Sequence, residues 1–150
     1  MKKEKKIFIF IAVLLIVLCG ILAKEIASNA KKQNVIDETF KDCYISILNT
    51  MQYSFDDNAL NDVTKEQLMA RDIGYGHILH GTYLFTSYTG NQDFYRICIL
   101  MDEVTGTDAI YSIEITKELY DNLLAIYENE FEDEVLLKQT RVLFEKCIIK

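Results

Sequence analysis

The 150-residue sequence contains no proline, no tryptophan and only six glycines, and none of those glycines falls between Ile21 and Ile73. Nothing in that stretch compels a helix to break. The sequence also lacks a G-x-S-x-G elbow, a C-x-x-C pair and an H-E-x-x-H helix, which removes the signatures of serine hydrolases, dithiol redox proteins and zinc proteases. Gly76 to Gly81 followed by Thr82 imitates a phosphate loop in spacing alone. Leu79 stands where a dinucleotide fingerprint starting at Gly74 needs its third glycine, and Thr82 stands where a Walker loop needs lysine. Basic charge is missing from most of the chain. Residues 1–32 hold seven Lys and two Glu, which leaves nine basic against 21 acidic residues, a net of −12, on residues 33–150. Such a surface repels phosphate backbones and excludes nucleic acid as a partner.

What is present is apolar: half of the residues are hydrophobic and 26% are charged, the balance of one globular domain rather than a disordered chain. Lys2, Lys3, Lys5 and Lys6 precede an uninterrupted apolar run from Ile7 to Ala23, closed by Lys24 and Glu25. Its 17 residues stand at the border between the apolar region of a signal peptide, roughly 7–15 residues, and a spanning helix of about 17–25. Ser28-Asn29-Ala30 offers signal peptidase a small-x-small site, with release of a soluble domain from Lys31 as the consequence. The unbroken helical character beyond Ala23 argues the other way, and the expectation is an uncleaved single-pass anchor. Lysines flank the run four to three, and the short amino-terminal tail tips the orientation towards a cytoplasmic N-terminus. The expected organisation is a basic cytoplasmic tail at 1–6, an anchor contacting the bilayer at 7–23, a helical linker at 24–32 and an extracytoplasmic domain at 33–150. A lipoprotein reading of Cys19 fails on Leu18 before it, and the terminal Cys147-Ile148-Ile149-Lys150 ends in a residue atypical for prenylation. The Lys-, Ile- and Asn-rich composition without an N-x-Ser/Thr sequon points to a bacterium, of Gram-positive type.

From Gln33 to Phe55, Ile36, Phe40, Cys43, Ile47 and Met51, with the adjacent row Tyr44, Leu48 and Phe55, recur at spacings of three and four. This is one face of an amphipathic helix. Asp56-Asp57-Asn58 ends it, and Thr64 with Gln67 forms a capping box for a short helix to about Asp72. Gly74, Gly76 and Gly81 then argue against helix, and Thr82–Thr89 holds six β-branched or aromatic residues in eight. Three strands, with room for a fourth, are expected over Thr82–Thr89, Phe94–Met101 and Ala109–Ile115, turning at Thr89-Gly90-Asn91 and Thr105-Gly106-Thr107. Thr116 caps a helix to about Glu130 with Leu119, Leu123, Ile126 and Tyr127 inward. Asp133 caps another to Ile148 with Leu136, Thr140, Leu143, Phe144 and Cys147 inward. Helices flanking a three- to four-stranded antiparallel sheet define an α+β domain.

Each candidate for chemistry has a plainer reading. His77 and His80 share a helix face at a spacing of three, as metal ligands do, but on the expected strand they point apart. Cys43, Cys98 and Cys147 all sit on inward faces, which favours buried thiols; a Cys43–Cys147 bridge is the pairing to consider if one forms. Neither histidine is tied by sequence to a cysteine, so a Cys-His nucleophile is not expected. Asp56–Asp62 lacks the Gly and Glu of a calcium loop. The acids Glu128, Glu130, Glu132, Asp133 and Glu134 mark a helix break. No catalytic, cofactor-binding or metal-ligating residue is assigned.

A spanning helix continuing into an amphipathic helix packed on an antiparallel sheet is similar to the arrangement of pilin-like proteins. Their processing signal, a Gly before the apolar run and a Glu five residues into the mature chain, is absent. The expected function is a non-catalytic protein-interaction module in a bacterial envelope assembly. The alternative is an extracytoplasmic small-ligand sensor or carrier in which Tyr83, Phe85, Tyr95 and Tyr111 line a pocket.

Overall fold

A computed structural model describes the backbone of residues 2–52, 65–105, 112–113 and 116–149, and the side chains of residues 13–52, 74–105 and 116–147. The elements are α1 (Lys2–Gln52), α2 (Lys65–Thr82), a single 3-10 turn (Tyr83–Phe85), α3 (Gln92–Thr105), β1 (Ser112–Ile113), α4 (Lys117–Glu128), α5 (Glu134–Cys147) and β2 (Ile148–Ile149). The chain falls into two compact units, Met1–Val35 and Ile36–Lys150. In the first unit the described apolar side chains from Val13 to Ile26 are exposed: Ile16 is 72% exposed and Ile26 69%. Among the described residues α1 is the one helix long and apolar enough to cross a membrane.

The second unit is helical, and the expected α+β architecture is overturned. Phe94–Met101, expected as a central strand, lies inside α3, where Phe94, Ile97, Cys98, Leu100, Met101, Val104 and Thr105 are all buried. A helix that neighbours cover on several sides is apolar nearly all round, and a short apolar run does not distinguish it from a two-sided strand. Thr82–Thr89 is the end of α2, the 3-10 turn and the bend that follows. Local bonds close this corner: Thr86 donates both N–H and Oγ1–H to the Tyr83 carbonyl, at 3.1 and 2.7 Å. Gly90 turns at φ 113°, and the Asn91 side chain then accepts from Phe94 N at 3.1 Å, so Gly90-Asn91 opens a helix instead of a hairpin. Of the third expected strand, only Ser112–Ile113 is described. It pairs antiparallel with Ile148–Ile149, and this two-residue ladder is all the extended pairing among the described residues. The likeness to pilin-like architecture goes with the sheet.

α2 also runs ten residues beyond its expected end at Asp72, through all three glycines. Gly76 has a positive reason to be there. A Cβ at this position would run into Thr105 Oγ1 and the Cα and side chain of Asp102 on α3, so the missing side chain permits the two helices to touch.

The remaining helices form where periodicity and caps place them. Leu119 N donates to Thr116 Oγ1 at 3.2 Å to start α4, and Asp133 Oδ1 accepts from Val135 N and Leu136 N at 3.1 and 2.9 Å to start α5. On α1, Phe40, Cys43, Tyr44, Ile47, Leu48 and Met51 are buried while Ile36 is half-buried. Phe55, the Asp56–Asp62 loop, the Thr64 cap and the turn at Gly106 lie outside the described residues. On α5, Thr140, Phe144 and Cys147 are buried as expected, Leu137 is buried in addition, and Leu136 and Leu143 are only partly so. α3 lies between α2 and α5, and α4 packs on α5.

One aromatic cluster joins these elements. Phe131, in the α4–α5 connection, stacks on Phe94 at 4.8 Å and meets Tyr88, Tyr44 and Phe40 at 4.7, 5.2 and 5.7 Å between ring centroids. To reach them it adopts φ 65°, next to Glu130 at φ 53°. Left-handed backbone at a non-glycine residue costs about 1–3 kcal/mol, and full burial of a phenyl ring contributes a similar amount, roughly 1.5–3 kcal/mol. The strain is therefore affordable only because the ring is buried. Tyr44 fills the centre of the cluster and donates its hydroxyl to the Leu123 carbonyl at 3.0 Å. Burial, with the Cys98 thiol second, holds that phenol well above the usual tyrosine range, so it remains a donor.

Candidate functional site

The polar residues that sequence spacing picked out meet between α2 and α3. His77 and His80 lie in the C-terminal part of α2. Because this segment is helical, a spacing of three places them on one face. The expectation that they point apart is thus corrected: both rings turn their Nδ1 atoms to the carboxylate of Asp102 on α3, His77 at 2.7 Å from Oδ1 and His80 at 3.2 Å from Oδ2. His80 Nε2 stands 3.3 Å from the hydroxyl of Tyr95, one face of α3 away by seven residues. The close approach permitted by Gly76 brings the imidazoles of one helix to the carboxylate of the other.

The two contacts to Asp102 differ in kind. The His80 pair has hydrogen-bond geometry, and since a carboxylate only accepts, Nδ1 of His80 carries the proton. The His77 pair is a close contact without that alignment, which leaves Asp102 Oδ1 buried and without a hydrogen-bond partner. The Nδ1 atoms face the carboxylate itself. Among the described residues no group of three or more His, Cys, Asp or Glu is arranged to hold a metal ion. Tyr95 is half-buried and stacked on Tyr83 with centroids 5.3 Å apart and planes 25° from parallel.

The other sequence candidates separate. Of the proposed pocket liners, Tyr83 is in the core with its hydroxyl on the Asn91 carbonyl at 2.7 Å, Phe85 is 66% exposed, Tyr95 belongs to the histidine cluster, and Tyr111 lies outside the described residues. Two open clefts are lined by other residues. One, of about 1000 Å³, runs over α3, α4 and α5 past Asp93, Glu118, Asn122, Lys138 and Gln139. The second, of about 590 Å³, lies beside Tyr88, Phe131 and the acidic α4–α5 connection. None of Cys19, Cys43, Cys98 and Cys147 is in a disulfide, and the last three are buried. Burial pushes the Cys43 and Cys98 thiols up, Asp42 adding to the effect at Cys43, so both stay protonated and unreactive at neutral pH.

A second charged group ties α3 to α5. Arg141 donates to Asp93 and, at 2.8 Å, to Glu145, while Arg96 lies 3.5 Å from Glu103 and 3.4 Å from Glu145. The hydrogen bond that Arg141 donates to Asp93 raises the guanidinium further above its already high range. Arg96, the one charge in an otherwise apolar run, is explained by this network. Pairs this exposed contribute little stability.

No family model matches the chain, and neither a characterised protein nor a solved structure shows significant similarity to it.

Proposed function

We propose that the chain is a single-pass membrane protein whose amino-terminus is cytoplasmic and whose acidic domain, residues 33–150, works outside the cytoplasm as a protein-interaction module of a bacterial envelope assembly. The observation that carries this reading is the apolar surface of α1, from Val13 to Ile26, which no protein atom covers and which a bilayer would. The second unit supports the interaction half. Its interior is occupied by packed side chains, while Leu84 and Phe85 are side by side on its surface, 61% and 66% exposed. Secretion after cleavage near Ala30 is the competing fate of the first unit.

Alkaline carbonate washing of membranes, followed by protease treatment of intact protoplasts, tests anchor and orientation together. The domain stays with the membrane and is digested from outside; its recovery in the wash defeats the anchor, and protection from protease defeats the orientation. Partner binding is read by affinity capture from detergent extract, and substitution of Leu84 by Ser removes the partner without lowering the melting temperature. The small-ligand reading retains one support, the cleft of about 1000 Å³ with its amide and charged lining. Its size is at the upper end of small-molecule sites, about 300–1000 Å³.

A further inference from the structure

The cluster between α2 and α3 holds a group whose chemistry the interaction reading does not use. We propose that Tyr95 is an activated phenol that accepts an uncharged acyl group, with His80 as its general base and Asp102 positioning the imidazole.

The order of the groups carries the argument. Asp102 Oδ2 accepts the Nδ1 proton of His80 at 3.2 Å; in the neutral imidazole that tautomer places a lone pair on Nε2, which faces the Tyr95 hydroxyl at 3.3 Å. Nucleophile, base and orienting carboxylate in hydrogen-bond sequence is the arrangement that activates weak oxygen nucleophiles. A base-to-nucleophile distance at the long end of the range is usual before a substrate binds. The three residues are held from different sides. Asp102 and Tyr95 are two turns apart on the same face of α3, His80 comes from α2 across the gap left by Gly76, and Tyr83 stacks beneath the Tyr95 ring. The site is open to reagents, since Tyr95 is half-buried and the His80 side chain is 35% exposed. Charge selects the electrophile: Asp102 is at the site and residues 33–150 carry a net −12, so phosphoryl and sulfuryl donors are repelled and a neutral ester is not.

In the step itself, Tyr95 Oη bonds to the acyl carbon as its proton passes to His80 Nε2. The adduct collapses, the bond from the acyl carbon to the leaving oxygen breaks, and His80 returns the proton to that oxygen. The products are a tyrosyl ester and a free alcohol or phenol, with no oxidant or reductant needed. Nothing in this step depends on whether the first unit is cleaved or spans a bilayer.

The test uses the full chain in detergent micelles with p-nitrophenyl acetate as the acyl donor, and follows acetylation of each tyrosine by peptide mass spectrometry. Tyr75 and Tyr127, also half-buried and bonded to neither imidazole, are the comparators within the same molecule. Tyr95 is acetylated at least tenfold faster than both, and His80→Ala and Asp102→Asn each reduce Tyr95 to the rate of the comparators. Equal rates in the wild type, or a Tyr95 rate unchanged by His80→Ala, overturn the proposal. If His80→Ala unfolds the unit, all tyrosines accelerate together, and Asp102→Asn decides: a retained tenfold advantage in that variant overturns it.

Discussion

Residues 13–26 and residues 36–52 belong to one helix, and their side chains ask for opposite surroundings. In the first stretch apolar residues point in every direction and all are exposed, from Leu18 at 46% to Ile16 at 72%. In the second they recur at three and four, and Phe40, Tyr44 and Leu48 have no exposed surface left. The backbone is the same and the difference lies in where apolar residues repeat. A helix apolar all round needs a medium to dissolve it, whereas a helix apolar on one face needs a partner of fixed shape. One substitution therefore has different consequences according to the half in which it is made.

The largest effect is expected where the second half meets the aromatic cluster. Phe40→Ala removes a ring that contacts Tyr83, Tyr88, Phe94 and Phe131, and lowers the stability of the unit by roughly 3–5 kcal/mol in denaturant melts. Retention in the carbonate-washed membrane is unchanged; loss of both would mean that the two halves do not have separate roles. Leu15→Arg makes the reciprocal change, costing about 2.5–3.5 kcal/mol of insertion free energy and releasing protein from membranes, with the melting of residues 36–150 unmoved.

The outer row of the second half sharpens the contrast on a smaller scale. Asp37 Oδ1 accepts from Ser87 N at 2.9 Å, so Asp37→Ala loses about 1 kcal/mol, while the exposed Asn49→Ala changes stability by less than about 0.5 kcal/mol. Equal effects from these two would show that the bond to the 83–90 corner does not hold. Cys19 and Cys43 provide the mildest probe, one per half. A maleimide spares Cys43, Cys98 and Cys147 in the folded protein and, where a membrane covers residues 13–26 as proposed, Cys19 with them, and all four react after unfolding without reductant. A mass with two thiols still blocked would reveal a disulfide.

Much of the helical part was legible in the sequence. The caps at Thr116 and Asp133 and the rows of α1 and α4 follow from local signals that the folded chain also uses. α3 carries a helical pattern in its sequence: Phe94, Ile97, Cys98, Met101, Val104 and Thr105 follow the three-and-four spacing. What hid it was Leu100 in between, buried because α3 has neighbours on more than one side, and the Gly90-Asn91 pair, which serves hairpins and helix starts alike. The histidine cluster shares this ambiguity. His77 and His80 are spaced for one helix face, but Gly74, Gly76 and Gly81 around them are strand or loop signals, and sequence alone does not assign the face. That Asp102 and Tyr95 would meet them depends on the contact of two helices, which no local pattern encodes.

Gly76 makes substitution tolerance a matter of address. In a helix open to solvent, exchanging glycine for alanine gains roughly 1 kcal/mol, and Gly81, with empty space where a Cβ would go, should follow that rule. At Gly76 the same exchange drives a methyl group into Thr105 and Asp102 and should destabilise by about 1–3 kcal/mol. Thermal melts of the two variants should therefore shift in opposite directions. A drifting lineage can replace Gly81 without penalty, whereas a change at Gly76 calls for room at both 105 and 102 first, and the order of those events is set by the geometry of a single helix crossing.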